Sequence, residues 1–366
     1  MQTTVAVPHL LGGHCASSAF RDLVAWHAAC SPAPLPGEAF LFLLAGGLDF
    51  LYWRRPGHDP PLYLLGRTGP LEEQLAARLD VAFVPVRPAS PAAAWAWLRA
   101  TLAAGQPALV VSDVGELPYL NARTHFTGHR LLVVGIDDAA GTLLVLDNDR
   151  AEVQEIPQAA FAASWSSTAF PEPVAYRYYE LGWPAQLPAL GARVPAAVAD
   201  TVRLLDGGGT PLIAAARLAD AGALGLPGMA EFVADLPRWP AHFPGGALAQ
   251  ALRAVYLYVE KAGTGFGGFF RGIYGRGLQE AAGWVADPRL AATLQAAGTH
   301  YQELGAAWSR FAAACRAAAP AAALTPSATM ASLAGPAAGL LAAERHGRDL
   351  LAAIVREAQD PDKVGP

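Results

Sequence analysis

The chain has 366 residues, 53% of them hydrophobic and only 16% charged, with a formal net charge of −5. That length and apolar content suit a folded protein of two domains with separate cores and exclude an intrinsically disordered chain. The acidic balance, with no cluster of Lys and Arg, argues against nucleic acid as a partner.

The opening MQTTVAVPHLLGGH has no basic segment ahead of a long apolar core, so it does not read as a signal peptide. Three scattered cysteines, Cys15, Cys30 and Cys315, fit a reducing cytoplasmic setting better than a disulfide framework. From Cys15 the run CASSAFRDLVAWHAAC places Phe20, Leu23, Val24 and His27 on one helical face. Gly12 and Gly13 break regular structure just before it, which puts Cys15 in the first turn of a helix.

Strand-like apolar runs follow at Leu62–Gly66, Val81–Val86 and Ala108–Ser112. Helical patterns at Leu71–Leu79 and Pro91–Ala104 separate them. Arg130–Ile136 and Thr142–Leu146 are β-rich and joined by Asp137-Asp138-Ala139-Ala140-Gly141, a bridge that predicts a hairpin. Glu152–Ile156 extends the meander. The expected fold is α+β, with an antiparallel sheet in a first domain at 1–170. Prolines at 171, 173, 184, 188 and 195 mark a linker over 171–195. A mostly helical domain at 196–366 follows, with helices at Ala196–Leu205, Pro211–Ala221, Leu248–Lys261, Leu278–Ala286, Leu290–Ala318 and Ala338–Ala358. The uncharged stretch Ala317–Ala343 holds three prolines and mostly small residues, so it reads as broken helix, and no membrane partner is expected.

A cysteine in a helix's first turn has its thiolate stabilised by free N–H groups and the positive end of the dipole. The same N–H groups can stabilise an oxyanion. A lone cysteine is ordinarily a small buried hydrophobe, and Cys30 and Cys315 are read that way. Cys15 is set apart by the hairpin. A turn centred on Asp138 puts His129, just before one strand, opposite Asp147, just after the other; a wider turn puts it opposite Asp149. A carboxylate there can hold one ring nitrogen and leave the other for a thiol. Asp137 lies eight residues along the strand, about 26 Å at about 3.3 Å per residue, and is excluded. The bland alternative is a His and an Asp that merely cap a hairpin.

Cys on a helix, then His, then Asp on adjoining strands is the papain-like order. His14 diverges from its neighbour Cys15 and is expected to line the site. His125, close to His129, is a loop histidine with a lesser claim. No compact ligand motif is present, so no metal is expected. Gly263–Gly268 lacks the GK[ST] ending of a phosphate loop and is rejected as one.

Gly13-His14-Cys15 with its helix, PLPGEAFLFLLAGGLDFLYW, DVGELPYLNARTHFTGHRLLVVGID and VLDNDR resemble the N-terminal domain of butirosin biosynthesis protein H. The later YLYVEKAGTGFGGFFRGIYGRGLQEAA resembles the uncharacterised domain commonly fused behind it. The resemblance implies a papain-like acyltransferase of natural-product assembly. It implies a donor thioester on an acyl carrier protein, hence on phosphopantetheine, a small-molecule amine acceptor, and no cofactor of the enzyme's own. Under it Cys15 is the nucleophile, His129 the base and Asp147 the orienting acid. Glu38, Tyr119 and His125 occupy motif positions and, with His14 and Arg271, are taken as substrate-binding. The run ASSAF after Cys15 and the apolar run after Glu38 depart from the pattern and imply a different acyl pocket. A cysteine hydrolase on the same triad, or a non-catalytic binding module, are the rival readings. Gly263–Gly277, with its aromatic residues and Arg271 and Arg276, is either a cover for the acyl-enzyme or a close helix contact.

Overall fold

A computed structural model describes residues 2–29, 34–55, 57–208, 224–261, 266–322 and 324–359. The chain begins with β1 (Gln2–Thr4), α1 (Cys15–His27), α2 (Glu38–Leu44), β2 (Leu51–Arg54), β3 (Leu62–Leu65) and α3 (Leu71–Arg78). Next come β4 (Ala82–Val86), α4 (Pro91–Ala103), β5 (Ala108–Ser112), β6 (His129–Asp137) and β7 (Thr142–Leu146). β8 (Gln154–Pro157), α5 (Gln158–Ser166) and β9 (Tyr178–Gly182) complete the strands. From there the named elements are helical: α6 (Val194–Leu205), α7 (Gly225–Asp235), α8 (Trp239–His242) and α9 (Gly246–Glu260). α10 (Arg271–Ala281), α11 (Pro288–Ala318) and α12 (Pro326–Gln359) close the chain. The architecture is mixed, an antiparallel sheet in the N-terminal region and helices in the C-terminal part, as the sequence predicts.

Two compact units form, residues 1–41 with 76–188 and residues 42–75 with 189–366. The first is built on a seven-stranded sheet in the order β4-β9-β5-β6-β7-β8, with β1 also paired to β6. β5 is buried at every position, and β6 at every position from Leu131 to Ile136, which is why both read as unbroken apolar runs. α1 packs on β6, burying Phe20, Leu23 and Val24. His14 caps this helix, its Nδ1 accepting the Ser17 N–H at 3.3 Å.

The β6–β7 turn is closed by Asp137, whose Oδ1 accepts the N–H groups of Ala139 and Ala140 at 2.9 and 3.0 Å. Gly141 supplies the positive φ of +71° that a β-branched residue would resist. Pairing starts at Asp137↔Thr142 and shifts between Val133 and Gly135, leaving Val134 as an extra residue. The turn is thus the wider of the two the sequence allows, and the bulge then shifts the register by one residue. Extended to its end, it puts His129 across from Asp149, with Asp147 the diagonal neighbour on the same face.

The expected linker contains a strand. β9 pairs with β4 along its whole length, because Tyr178, Tyr179 and Leu181 fit a pleated surface despite the flanking prolines. Residues 42–75, placed in the first domain by sequence, belong to the second unit. There Phe50 lies 6.0 Å from Phe232, 5.9 Å from Phe269 and 6.2 Å from Trp308, and Tyr52 lies 5.3 Å from Phe232.

Helix 278–286 starts earlier than expected, at Arg271, directly after Phe269 and Phe270 take positive φ. Gly272 and Gly275 are contact points with α11. A Cβ on Gly275 would sit 2.7 Å from the Gly298 carbonyl oxygen, and one on Gly305 would sit 2.8 Å from the Gly272 nitrogen. So the described part of Gly263–Gly277 makes a close helix contact within its own unit. Pro336 does not break α12, which runs through it, since one missing N–H costs less than the packing of Leu333, Ala337 and Leu340 returns. The expected helix Pro211–Ala221 lies outside the described residues. Among the described residues no helix is long and apolar enough to cross a membrane.

Candidate active site

The turn that delivers Cys15 is tied down from several sides. Glu38, first residue of α2, accepts the Gly13 N–H at 3.0 Å, the His14 N–H at 2.8 Å and the Ser17 hydroxyl at 3.1 Å. Arg21, from the next turn of α1, donates to the carbonyls of Leu10 and Leu11 and pairs with Asp22 at 2.7 Å. The Gly12 N–H reaches the Asn148 carbonyl at 2.9 Å, joining this turn to the end of the hairpin. Only glycine fits at position 12, where a Cβ would overlap the Ser18 hydroxyl at 1.8 Å.

His129 opens β6, paired with Ser112 of β5. Its Nε2 lies 2.8 Å from Asp147 Oδ2, which leaves Nδ1 for the Cys15 thiol, with which the ring is hydrogen-bonded. Asp147 is 1% exposed and fully engaged: Oδ2 also accepts the Tyr119 hydroxyl at 2.7 Å, and Oδ1 accepts the Asp149 N–H at 3.2 Å. Tyr119 is itself held, its carbonyl accepting from Arg150 Nη2 at 2.5 Å. Asp149 supports Asp147 through its main chain, while its own Oδ1 accepts from the Asn148 amide at 3.2 Å. The diagonal neighbour, not the directly opposed residue, meets the imidazole. The chain turns sharply after β7, with the Arg150 N–H bonded to the Asp147 carbonyl at 3.1 Å.

These contacts fix the charges. Burial pushes the Cys15 thiol up, but the hydrogen bond and charge of His129, joined by the charge and main-chain N–H of Arg130, outweigh it. The thiol ends below its ordinary value. Burial disfavours protonated His129, yet the charge and hydrogen bond of Asp147, with those of Cys15, hold the imidazolium well above 6.5. Burial likewise raises Asp147, and the charge and hydrogen bond of His129, aided by Tyr119, bring it below the usual carboxylate range. Burial and the Asp147 charge keep Tyr119 a phenol, and therefore a donor. A thiol lowered and an imidazole raised by their contact, at a helix start beside first-turn N–H groups, could supply what acyl transfer requires: a nucleophile, a proton carrier and donors for an oxyanion.

The remaining expected site residues fall differently. His14 is the buried N-cap, and Glu38 turns its carboxylate onto the chain that carries Cys15, so both shape the Cys15 loop. Tyr119 braces Asp147. His125 is exposed and belongs to another pair: its Nδ1 lies 2.8 Å from Asp113, which also accepts from Ser167 and the Phe126 N–H. Arg271 does not meet a donor's phosphate. It is wholly buried in the second unit, 2.7 Å from Glu344, with further bonds to the carbonyls of Asp49, Gly66 and Phe269. Phe269 and Phe270, directly before it in sequence, were the local sign of an apolar setting, and Trp308 of α11 joins them only in the fold, its ring 5.9 Å from the guanidinium. Cys315 is buried and burial pushes its thiol up; Cys30 lies outside the described residues. Sequence reasoning passed over Arg130 and Asn148, whose main-chain roles leave no mark on residue type. Among the described residues no cluster of His, Cys, Asp and Glu could hold a metal ion.

No curated protein matches the chain. Residues 14–148 match the family described as butirosin biosynthesis protein H, N-terminal, and the match spans Cys15, His129 and Asp147. Residues 159–350 match a domain of unknown function, DUF4872. With both in this order, the chain belongs to the butirosin biosynthesis protein H family, in its two-domain form.

Proposed function

We propose that this protein is a cysteine-dependent acyltransferase of antibiotic-type natural-product biosynthesis. It takes an acyl or aminoacyl group from an acyl carrier protein thioester and passes it to a small-molecule amine. The observation that carries the reading is the Cys15–His129–Asp147 chain of contacts. The family's name supports the biosynthetic setting.

The Cys15 thiolate attacks the thioester carbonyl, forming a new C–S bond. The intermediate's oxyanion is held by first-turn N–H groups of α1. It collapses with loss of the donor thiolate, which takes the proton from the His129 imidazolium. Neutral His129 then removes a proton from the amine as nitrogen attacks the acyl-Cys15 carbonyl. Collapse expels the Cys15 thiolate and restores the ion pair. Thioester exchange is nearly isoenergetic and amide formation is downhill, so the protein's task is positioning the amine and keeping water away.

Incubation with an acyl thioester should add one acyl group to the protein by intact mass, and Cys15→Ala should abolish it. Amide product on adding an amine supports transfer; free acid alone would mean a hydrolase. Acyl groups on Cys315, or persisting on Cys15→Ala, would overturn the assignment.

A further inference from the structure

In the first unit, β9 pairs with β4 at five positions but meets β5 only at Val110↔Tyr178. Pro107, just before β5, has no N–H with which to continue the ladder. Where the strands part there is a cavity of about 110 Å³. Trp26 of α1, Trp97 of α4 and Trp183, just past β9, stand in its lining beside Tyr179, and Glu180 is its only charged group.

We propose that this cavity binds a small organic cation of the alkylammonium or quaternary ammonium class. The rings are held in place from outside the cavity. Trp97 stacks on Tyr178 at 3.6 Å between centroids, and Trp183 stacks on His27 at 4.7 Å. Tyr179 is already clasped by Phe83 at 4.9 Å and by the Arg130 guanidinium at 5.7 Å, so recognition falls to the indoles. An indole face is the best aromatic partner for a cation, because its quadrupole presents negative charge. Glu180 is exposed and makes no ion pair among the described residues, so its carboxylate adds the same sign of attraction. An anion would be repelled. A neutral apolar guest would leave the carboxylate unused. At about 30 Å³ per water the space equals three or four waters, the scale of one alkylated ammonium head. Trp26 lies eleven residues beyond Cys15 on α1, about 16 Å at about 1.5 Å per residue, so this site is distinct from the thiol. It stands whether or not Cys15 carries acyl groups.

Calorimetric titration of the whole protein with choline tests it against dimethylbutanol, in which carbon replaces the charged nitrogen. Choline should bind saturably at millimolar concentration, with the uncharged isostere weaker by roughly tenfold or more. Glu180→Gln, at an exposed position, should weaken choline by about three- to tenfold and leave the isostere unchanged. Trp26→Ala should remove choline binding at an unaltered unfolding temperature. Equal binding of the isostere, no saturable heat with choline, or undiminished choline binding by both variants would each overturn the proposal.

Discussion

Cys15 and His129 share one proton across their contact, so the pair rather than either residue sets the response to pH. The thiol's value is lowered and the imidazole's is raised, so both shifts favour the thiolate–imidazolium pair over its neutral form. The pair's range has a lower edge, where the thiolate forms, and an upper edge, where the imidazolium is lost. Asp147→Asn keeps the shape and removes the charge that holds the imidazolium, so the upper edge should fall toward 6.5 and the lower edge should rise. Alkylation of Cys15 by iodoacetamide, followed against pH, reads both edges without needing the natural substrate. In acyl transfer the same variant should lose about 10²–10⁴-fold at neutral pH. An unchanged alkylation profile would show that Asp147 does not set the pair's charge. Glu38 acts one step further back. Hydrogen bonds to a charged group contribute about 1.5–3 kcal/mol each, against about 1 kcal/mol for a neutral N-cap. Its bonds to Gly13, His14 and Ser17 thus outweigh the His14 cap in fixing the loop. A motif position does not separate a carboxylate that meets a ligand from one that holds its own chain, and the structure gives Glu38 the second role.

At the scale of elements, the hairpin was legible because Asp137 and Gly141 are turn residues between two β-branched runs. The bulge at Val134 was not, since an apolar residue looks the same paired or unpaired. Without that extra residue His129 would oppose Arg150 with Asn148 as its diagonal neighbour; the bulge brings Asp147 onto the face of His129, and the curl of the chain after β7 completes the approach. Helix propensity misled in the other direction. Gly272 and Gly275 delayed the expected start of α10, although they are where main-chain atoms of α10 and α11 come close. A Cβ at position 275 would meet main-chain atoms of Gly298 and Gln302 at 2.7 and 2.8 Å, and neither can turn aside. Gly275→Ala should therefore destabilise the protein by about 1–3 kcal/mol, despite alanine's better propensity. Gly339→Ala on α12, where a Cβ meets nothing, is the control and should stabilise by up to about 1 kcal/mol. Denaturant midpoints of the two variants measure the contrast. If Gly275→Ala matches Gly339→Ala, the helices are not in contact as described.

Over the whole molecule, composition and pattern located two cores but not the route of the chain between them. A prolines-as-linker reading cut the sequence near 170, since five prolines in a short stretch punctuate whatever they flank. The first core extends past that cut, because β9 lies in its sheet between β4 and β5. The second core reaches back before it. Phe42, Phe50 and Tyr52 are buried against Phe270, Phe232 and Trp239, more than 150 residues later, a long-range pairing that no local pattern records. A fragment of residues 1–170 tests the consequence. It lacks a strand with neighbours on both sides, so β4 loses its pairing and β5 keeps only β6. It also leaves Phe42, Phe50, Tyr52, Leu62 and Leu64 without the helices that cover them. Burying a large apolar side chain contributes about 1.5–3 kcal/mol, so exposing these five forfeits roughly 10 kcal/mol, comparable to a domain's entire stability. The fragment should be insoluble or bind a hydrophobic dye strongly, and its Cys15 should alkylate without the pH response of the full chain. Extending it to residue 188 restores β9 but not the cover over 42–75, so dye binding should persist. A soluble 1–170 fragment with sharp unfolding and the full chain's alkylation profile would show that the first domain ends where the prolines begin.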